Sequence, residues 1–333
     1  MAEFAPNIVD SRDFALVSFL NTAEFEKQLG VLSSAEWGWG AVQQIQTRVL
    51  KCHPAKRCTF EIAIRTSRES HELIGKVFTQ DRPDVHDLMA GIQQAGFRGD
   101  SKFAIPGPIT YLPSLRLLLE EKAGGMSARE VFLGDGANNQ KEAAIRCALW
   151  LAKFHATGPR IGRVSSVAKL MAKSRSQARK LSRHGGRFAE KTGRLLARLE
   201  VLASRFGIVG ICAAHGEYNP SHVFLDGDRT VVIDWDGCQI RDPARDVATF
   251  MIVAKWLALD RRGAIGAFDS LSDVFLQTYL AERGHDILKR LAFHKASICL
   301  KHAKYSAAYQ FERWHEKTMA MLEEGLSAVG LTH

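Results

Sequence analysis

The run His215-Gly216-Glu217-Tyr218-Asn219-Pro220-Ser221-His222-Val223-Phe224-Leu225 concentrates chemically able side chains in eleven positions. Asp226-Gly227-Asp228 follows, a hairpin turn signal. The chain returns as Val231-Val232-Ile233-Asp234-Trp235-Asp236, an apolar strand that ends on carboxylates, and Asp242-Pro243-Ala244-Arg245-Asp246 closes the block. Two acid-bearing loops joined by a tight hairpin become neighbours through local folding alone. Acids so placed suit a divalent cation held with a phosphate, or a general base beside a metal.

Elements upstream and downstream must position that block. Phe14 to Leu32 reads as a mostly helical N-terminal element. Val42–Leu50 and Cys58–Ile64 read as strands around the turn His53-Pro54-Ala55-Lys56, and Leu73–Phe78 as a third strand. Asp84 to Ala95 reads as a helix, with Pro83 in its first turn and Gly96 at its end. Ile109–Leu112 and Arg116–Glu120 read as two more strands. Beyond Gly124-Gly125 the pattern is helical except for one β-rich island, Val223–Asp234. A small sheet-plus-helix unit followed by a larger helical unit is an α+β, two-lobed design. The division expected is 1–121 and 122–333.

The 333 residues are 46% hydrophobic and 24% charged, which excludes disordered, collagen-like and coiled-coil classes. No run approaches the ~20 apolar residues of a membrane-spanning helix. Met1-Ala2-Glu3-Phe4 lacks the basic and apolar regions of a secretory leader. The six cysteines form no Cys-x-x-Cys pair, so neither a zinc site nor a dense disulfide framework is expected, and the setting expected is reducing and cytoplasmic. The net charge of +9 is uneven: thirteen Lys and Arg against two acids lie between Gly158 and Arg205. That basic insert, about 159–205, reads as two helices broken at Gly185-Gly186, the second with Leu195, Leu196, Leu199 and Leu202 on one face. It is either a solvated insert docked by that face or a platform for weak polyanion binding. With only Phe188 and Phe206 nearby to stack on bases, nucleic acid is disfavoured.

The linked block resembles the catalytic and metal-binding loops of the aminoglycoside phosphotransferase and choline kinase-like family. That family pattern is H-G-D-x-x-x-x-N, then I-D-W/F-(D/E), then D-P-x-x-D, and the spacing is kept throughout. The resemblance implies a protein-kinase-like fold with a small antiparallel-sheet N-lobe, a larger helical C-lobe, and ATP and Mg2+ as cofactors. It places Asp234 at the magnesium aspartate, with Asp236 beside it, and Glu217 at the catalytic carboxylate, with His215 supporting the loop. Lys76, in Ile74-Gly75-Lys76-Val77-Phe78, matches the third-strand lysine that holds the α- and β-phosphates. Leu118-Leu119-Glu120-Glu121 resembles the hinge whose backbone reads the adenine edge. Ala148–Ala156 resembles a helix with a Leu-x-x-Leu-His signature, in which His155 reads as a satisfied core histidine, and Asp246 is expected to brace the catalytic loop.

Three departures stand out. Glu217 replaces an aspartate and is one methylene longer. His222 replaces a metal-ligand asparagine and could face a phosphate instead. No Glu lies between Leu73 and Leu119, which leaves Asp84 or Asp87 as partners for Lys76. The turn at His53–Lys56 also lacks phosphate-cradling glycines, with Lys56 and Arg57 supplying charge there. The resemblance thus implies an ATP-dependent kinase of a small-molecule alcohol, neutral or anionic, such as a sugar or nucleoside. The alternative is a catalytically impaired nucleotide-binding or scaffold protein.

Overall fold

Period-two burial builds the first sheet. Strand β1 (Val42–His53) and β2 (Arg57–Thr66) pair antiparallel, and β2 turns Cys58, Phe60, Ile62 and Ile64 inward. The computed structural model describes residues 23–53, 56–206, 209–310 and 312–330. The start of the expected N-terminal helix, and Pro54 and Ala55 of the expected turn, lie outside those residues. The described part of that helix is α1 (Ala23–Val31), continuing into a π-helical turn at Leu32–Glu36.

Two compact units divide the chain: one runs to Gly124 and takes in Val231–Ile233, the other is Gly125–Thr230 with the residues from Asp234 onward. In the first, β3 (Ser70–Phe78), α2 (Pro83–Gln94), β4 (Phe103–Ala104), β5 (Pro108–Leu112) and β6 (Leu117–Glu121) complete the elements. The five-stranded sheet has the order β1-β2-β3-β6-β5. Phe25 and Leu29 of α1 pack on its inward residues Phe60, Ile62, Leu73 and Leu119. Pro83 opens α2, where its missing N–H costs nothing, and Gly96 closes it at φ 95°. Equal distance from the hairpin turn makes Cys52 and Cys58 register partners, and they form a disulfide that their spacing alone did not announce. Cys147, Cys212, Cys238 and Cys299 are free thiols.

The second unit contains β7 (Met126–Ser127), α3 (Ala128–Leu133) and α4 (Ala137–Thr157), then α5 (Val167–Ser182) and α6 (Gly186–Ser204). After these come β8 (Cys212–Ala214), β9 (Val223–Asp226), β10 (Arg229–Val232), whose last two residues belong to the first unit, and β11 (Gln239–Arg241). Helices α7 (Ala244–Arg262), α8 (Asp269–Arg283), α9 (Leu288–Tyr309) and α10 (Trp314–Ala328) finish it. Four short strands, β4, β7, β8 and β11, were not expected; two or three residues are too few for a periodic signal. The basic insert is the expected helix pair, broken where Gly185 and Gly186 take φ 69° and 49°. Leu195 and Leu199 of α6 are buried, so the insert docks by the expected face. Its two aromatics serve packing: Phe188 stacks on Trp314, and Phe206 meets Phe293 edge-on. No helix among the described residues is long and apolar enough to cross a membrane.

Candidate active site

In the first unit, β3 buries Lys76, 4% exposed, on the face of the sheet opposite Leu73 and Val77. Its ammonium lies 2.9 Å from Oε1 of Glu120, which is equally buried. Antiparallel register explains the pair: Ile74 faces Glu120 and Lys76 faces Leu118, so Lys76 and Glu120 are diagonal neighbours on one face. This corrects the expected partners. Asp84 is bound by Arg82 at 2.8 Å, and Asp87 lies 3.3 Å from His86. The carboxylate therefore comes from the hinge-like strand rather than from α2. Sequence separation hid this pair; only the β3–β6 register brings it together. Glu121, exposed on the other face, accepts the Gly107 N–H at 2.8 Å. Lys56 is exposed in the β1–β2 turn, and its carbonyl accepts the Thr79 N–H at 2.9 Å.

In the second unit, Asp246 organises the block from beneath. Its Oδ2 accepts the His215 N–H at 2.6 Å, and its Oδ1 the Gly216 N–H at 3.0 Å. His155, on α4, lies 3.3 Å from Oδ2 through Nε2 and 2.7 Å from the Tyr279 hydroxyl through Nδ1. With Asp246 ionised, Nε2–H donates to it and Nδ1 accepts from Tyr279. Burial would raise the Asp246 carboxyl, but the His155 hydrogen bond and surrounding positive charge hold it at about 2. Asp242 is held at about 2 likewise: burial opposes, while His294 at 2.9 Å and Arg290 at 2.7 Å outweigh it. Both acids of the Asp-Pro-x-x-Asp motif are thus braces, as expected for Asp246, and His155 is the satisfied core histidine.

The loop that Asp246 carries needs glycine at Gly216, where φ is +92° and a Cβ would stand 2.2 Å from the Gly237 carbonyl oxygen. This close approach lays the Glu217 loop over the turn that bears Asp236. Beneath them His215 and Trp235 are fully buried, with ring centroids 4.7 Å apart, and Trp150 packs on Trp235 at 5.7 Å. Tyr218 points inward, its hydroxyl donating to the Cys147 carbonyl at 2.7 Å. Arg146 of α4 secures the hairpin, binding the Gly227 carbonyl at 2.8 Å and the Arg229 carbonyl. The expected two-residue turn is present, with Gly227 at φ 57°.

His215 supports the loop rather than facing outward: its Nδ1 accepts the Glu217 N–H at 3.3 Å. The Glu217 carboxylate is more than half exposed and lies 3.0 Å from Nζ of Lys301 on α9. That ammonium is the first cause lowering the Glu217 carboxyl to about 2, and the His222 imidazole adds to it. Nothing local in the sequence marks Lys301; helix packing aims it here. His222 presents Nδ1 3.1 Å from the Glu217 carbonyl and Nε2 3.6 Å from Oδ2 of Asp234. Asp234 has a left-handed backbone (φ 73°), uncommon outside glycine and held here by the loop. Asp236 follows in the single 3-10 turn Trp235–Gly237.

Among the described residues no three His, Cys, Asp or Glu side chains cluster to hold a metal ion by themselves. Magnesium that arrives on nucleotide phosphates requires only one or two protein carboxylates, so Asp234, with Asp236 nearby in sequence, fits that mode. His222 adds an imidazole nitrogen to the donor set.

The family model described as the phosphotransferase enzyme family matches residues 68–292. No curated protein matches the chain. Among solved structures, choline kinase from Cryptosporidium parvum Iowa II is similar over 91% of this chain and 95% of its own, at 12% identity and a TM-score of 0.63. An aminoglycoside phosphotransferase APH(4)-Ia variant, solved with AMP-PNP and hygromycin B, covers 93% and 99% at 13% identity and a TM-score of 0.62. A macrolide 2'-phosphotransferase from Brachybacterium faecium covers 93% and 99% at 16% identity and a TM-score of 0.52. The fold is kinase-like, as these likenesses and the sheet-then-helices order agree. With two thirds of its length inside the family pattern, the chain belongs to the phosphotransferase enzyme family, and its class is that of a small-molecule kinase.

Proposed function

We propose that the protein transfers the γ-phosphate of ATP to a hydroxyl of a neutral or anionic small molecule, such as a sugar or nucleoside. The observation that carries this reading is the Glu217 carboxylate, held by Lys301 at 3.0 Å on a loop braced by Asp246. An ionised carboxylate there orients the acceptor hydroxyl and receives its proton as the oxygen attacks the γ-phosphorus and the bond to the bridging oxygen breaks, releasing ADP. Lys76 holds the nucleotide phosphates, with Glu120 setting its ammonium in place. The hinge-like strand ending at Glu120 and Glu121 leads to the base, with the Glu121 N–H itself held by the Gly107 carbonyl, and Lys56 adds charge over the phosphates. Asp234 and Asp236 hold Mg2+, which when bound neutralises charge on the transferring group. His222 contacts either that cation or a phosphate oxygen.

The test is an ATP turnover assay over a panel of acceptor alcohols, with Mg2+ and with Mn2+, alongside ATP titration. Acceptor-dependent ADP release is the expected result. Tight ATP binding with no turnover on any acceptor would instead identify a catalytically impaired nucleotide-binding protein. The basic insert keeps Arg179, Arg183 and Arg187 exposed, which supports weak, salt-sensitive polyanion binding as a secondary property.

A further inference from the structure

Helices α5 and α9 pack together, with Ser174 and Ser297 hydroxyls 3.4 Å apart at their contact. A pocket of about 310 Å³ opens along this seam, lined by Lys173, Gln177 and Lys180 from α5 and Lys301, Lys304 and Tyr305 from α9. Positions 173, 177 and 180 share one face of α5, and 301, 304 and 305 share one face of α9. Four lysines and no acidic residue line the hollow, and one of the four, Lys301, already shares its charge with Glu217. The volume lies near the lower end of small-molecule pockets, about 300–1,000 Å³, and matches a monosaccharide rather than a polymer.

Charge of one sign gathered in a hollow raises the free energy of the ligand-free protein and is relieved by a bound anion. Lys304 registers that strain: burial first, and then the Lys180 charge, push its ammonium below the ordinary value. One lining residue also belongs to the catalytic loop's surroundings, since Lys301 is the partner of Glu217 at 3.0 Å. Lys304 sits one helical step beyond it, about 4.5 Å along the axis. A small molecule anchored at Lys304 and Lys180 therefore presents its far side toward Glu217. Because Lys301 neutralises Glu217, the carboxylate does not repel an anionic acceptor.

We propose that this lysine pocket is the acceptor site and that the acceptor is an anionic alcohol, carrying a phosphate, carboxylate or sulfate group besides the hydroxyl that is phosphorylated. The inference rests on the phosphotransferase reading and narrows its acceptor class. A polycationic acceptor is disfavoured by the same lysines.

The test titrates the full chain calorimetrically with glucose, glucosamine and glucose 6-phosphate, which share a ring and differ in charge, and with inorganic phosphate as the bare anion. AMP-PNP is titrated separately. Glucose 6-phosphate is expected to bind about tenfold or more tighter than glucose, with glucosamine weakest. Lys180→Glu combined with Lys304→Glu should abolish that order while AMP-PNP affinity and the melting temperature stay as in wild type. Glucosamine binding best, the order surviving in the double variant, or neither glucose 6-phosphate nor phosphate binding would each overturn the proposal. Failure of the underlying reading shows separately, as absence of AMP-PNP binding, and the sugar titrations then still decide whether the pocket takes anions. A variant that melts early is replaced by Lys180→Gln with Lys304→Gln, for which a weaker loss of the same order is expected.

Discussion

Glu217 and Lys301 meet at 3.0 Å although eighty-four positions separate them in the chain. The contact extends the acid limit of the proposed catalytic carboxylate, because Lys301 is the largest influence lowering Glu217 to about 2 from the ordinary 4.5. Removing the ammonium lets the carboxyl rise. Lys301→Met should therefore shift the acid limb of kcat upward, toward about pH 4.5, while wild type keeps its plateau down to the pH at which it unfolds. A pH–rate profile checks this; superimposable acid limbs would detach Lys301 from the chemistry. Glu217→Gln should lower kcat by about 100-fold or more with ATP affinity unchanged.

Lys76 and Glu120 form a buried pair, so removing one partner strands the other's charge. Lys76→Ala should cost about 3–5 kcal/mol of stability as well as most of the ATP affinity. Lys76→Met with Glu120→Leu should recover much of the stability and none of the ATP affinity. Chemical denaturation and ATP titration of both variants separate the structural from the nucleotide role. Recovery of ATP binding in the double variant would show that Lys76 does not hold phosphate.

His222 places an imidazole 3.6 Å from Asp234, where the family pattern has an amide oxygen. Imidazole suits Mn2+ better than Mg2+. If His222 serves the cation, wild type should show a lower half-saturating Mn2+ than His222→Asn, and the variant should gain relative preference for Mg2+. Binding of Mn2+ followed by paramagnetic relaxation in the presence of AMP-PNP reads this without turnover. An unchanged Mn2+ to Mg2+ ratio, with weaker AMP-PNP binding, would assign His222 to a phosphate.

Asp246 and Asp242 are both held at about 2 against an ordinary 3.8, so each stabilises the fold only while ionised. The sign follows from linkage: their contribution is complete above about pH 4 and is lost as pH falls toward 2. Each contributes about 2 kcal/mol across that window. Asp246→Asn should cost about 3 kcal/mol at neutral pH and flatten the decline between pH 4 and 2. Denaturation midpoints measured across pH 2–7 for both proteins test it, and equal slopes would remove Asp246 from the acid transition.

Much of the design was legible in residue order because it depends on neighbours in the chain. The alternation of Cys58, Phe60, Ile62 and Ile64 marks a strand wherever it folds, since side chains alternate faces with period two. Gly227 in a two-residue turn makes the β9–β10 hairpin local, and the hairpin in turn brings the loops of Glu217 and Asp234 together. The brace at Asp246 was legible for a different reason, the resemblance to a family motif, since about thirty positions separate it from His215 and Gly216.

What tertiary structure decided are pairings between distant segments, whose geometry no local rule carries. The partner of Lys76 depends on the register of β3 against β6, in which a shift of one residue would turn Glu120 to the other face. The disulfide depends on where the β1–β2 turn centres, because that places Cys52 opposite Cys58. The orientation of Lys301, and the gathering of four lysines along α5 and α9, depend on which helix faces pack. Charge count in the sequence marked the insert as basic; only side-by-side packing of two helices, sixteen and twenty-two residues long, turned part of that charge into a pocket beside Glu217. Hydrophobic burial selects the packed faces, and the polar residues on their rims are carried into place by it.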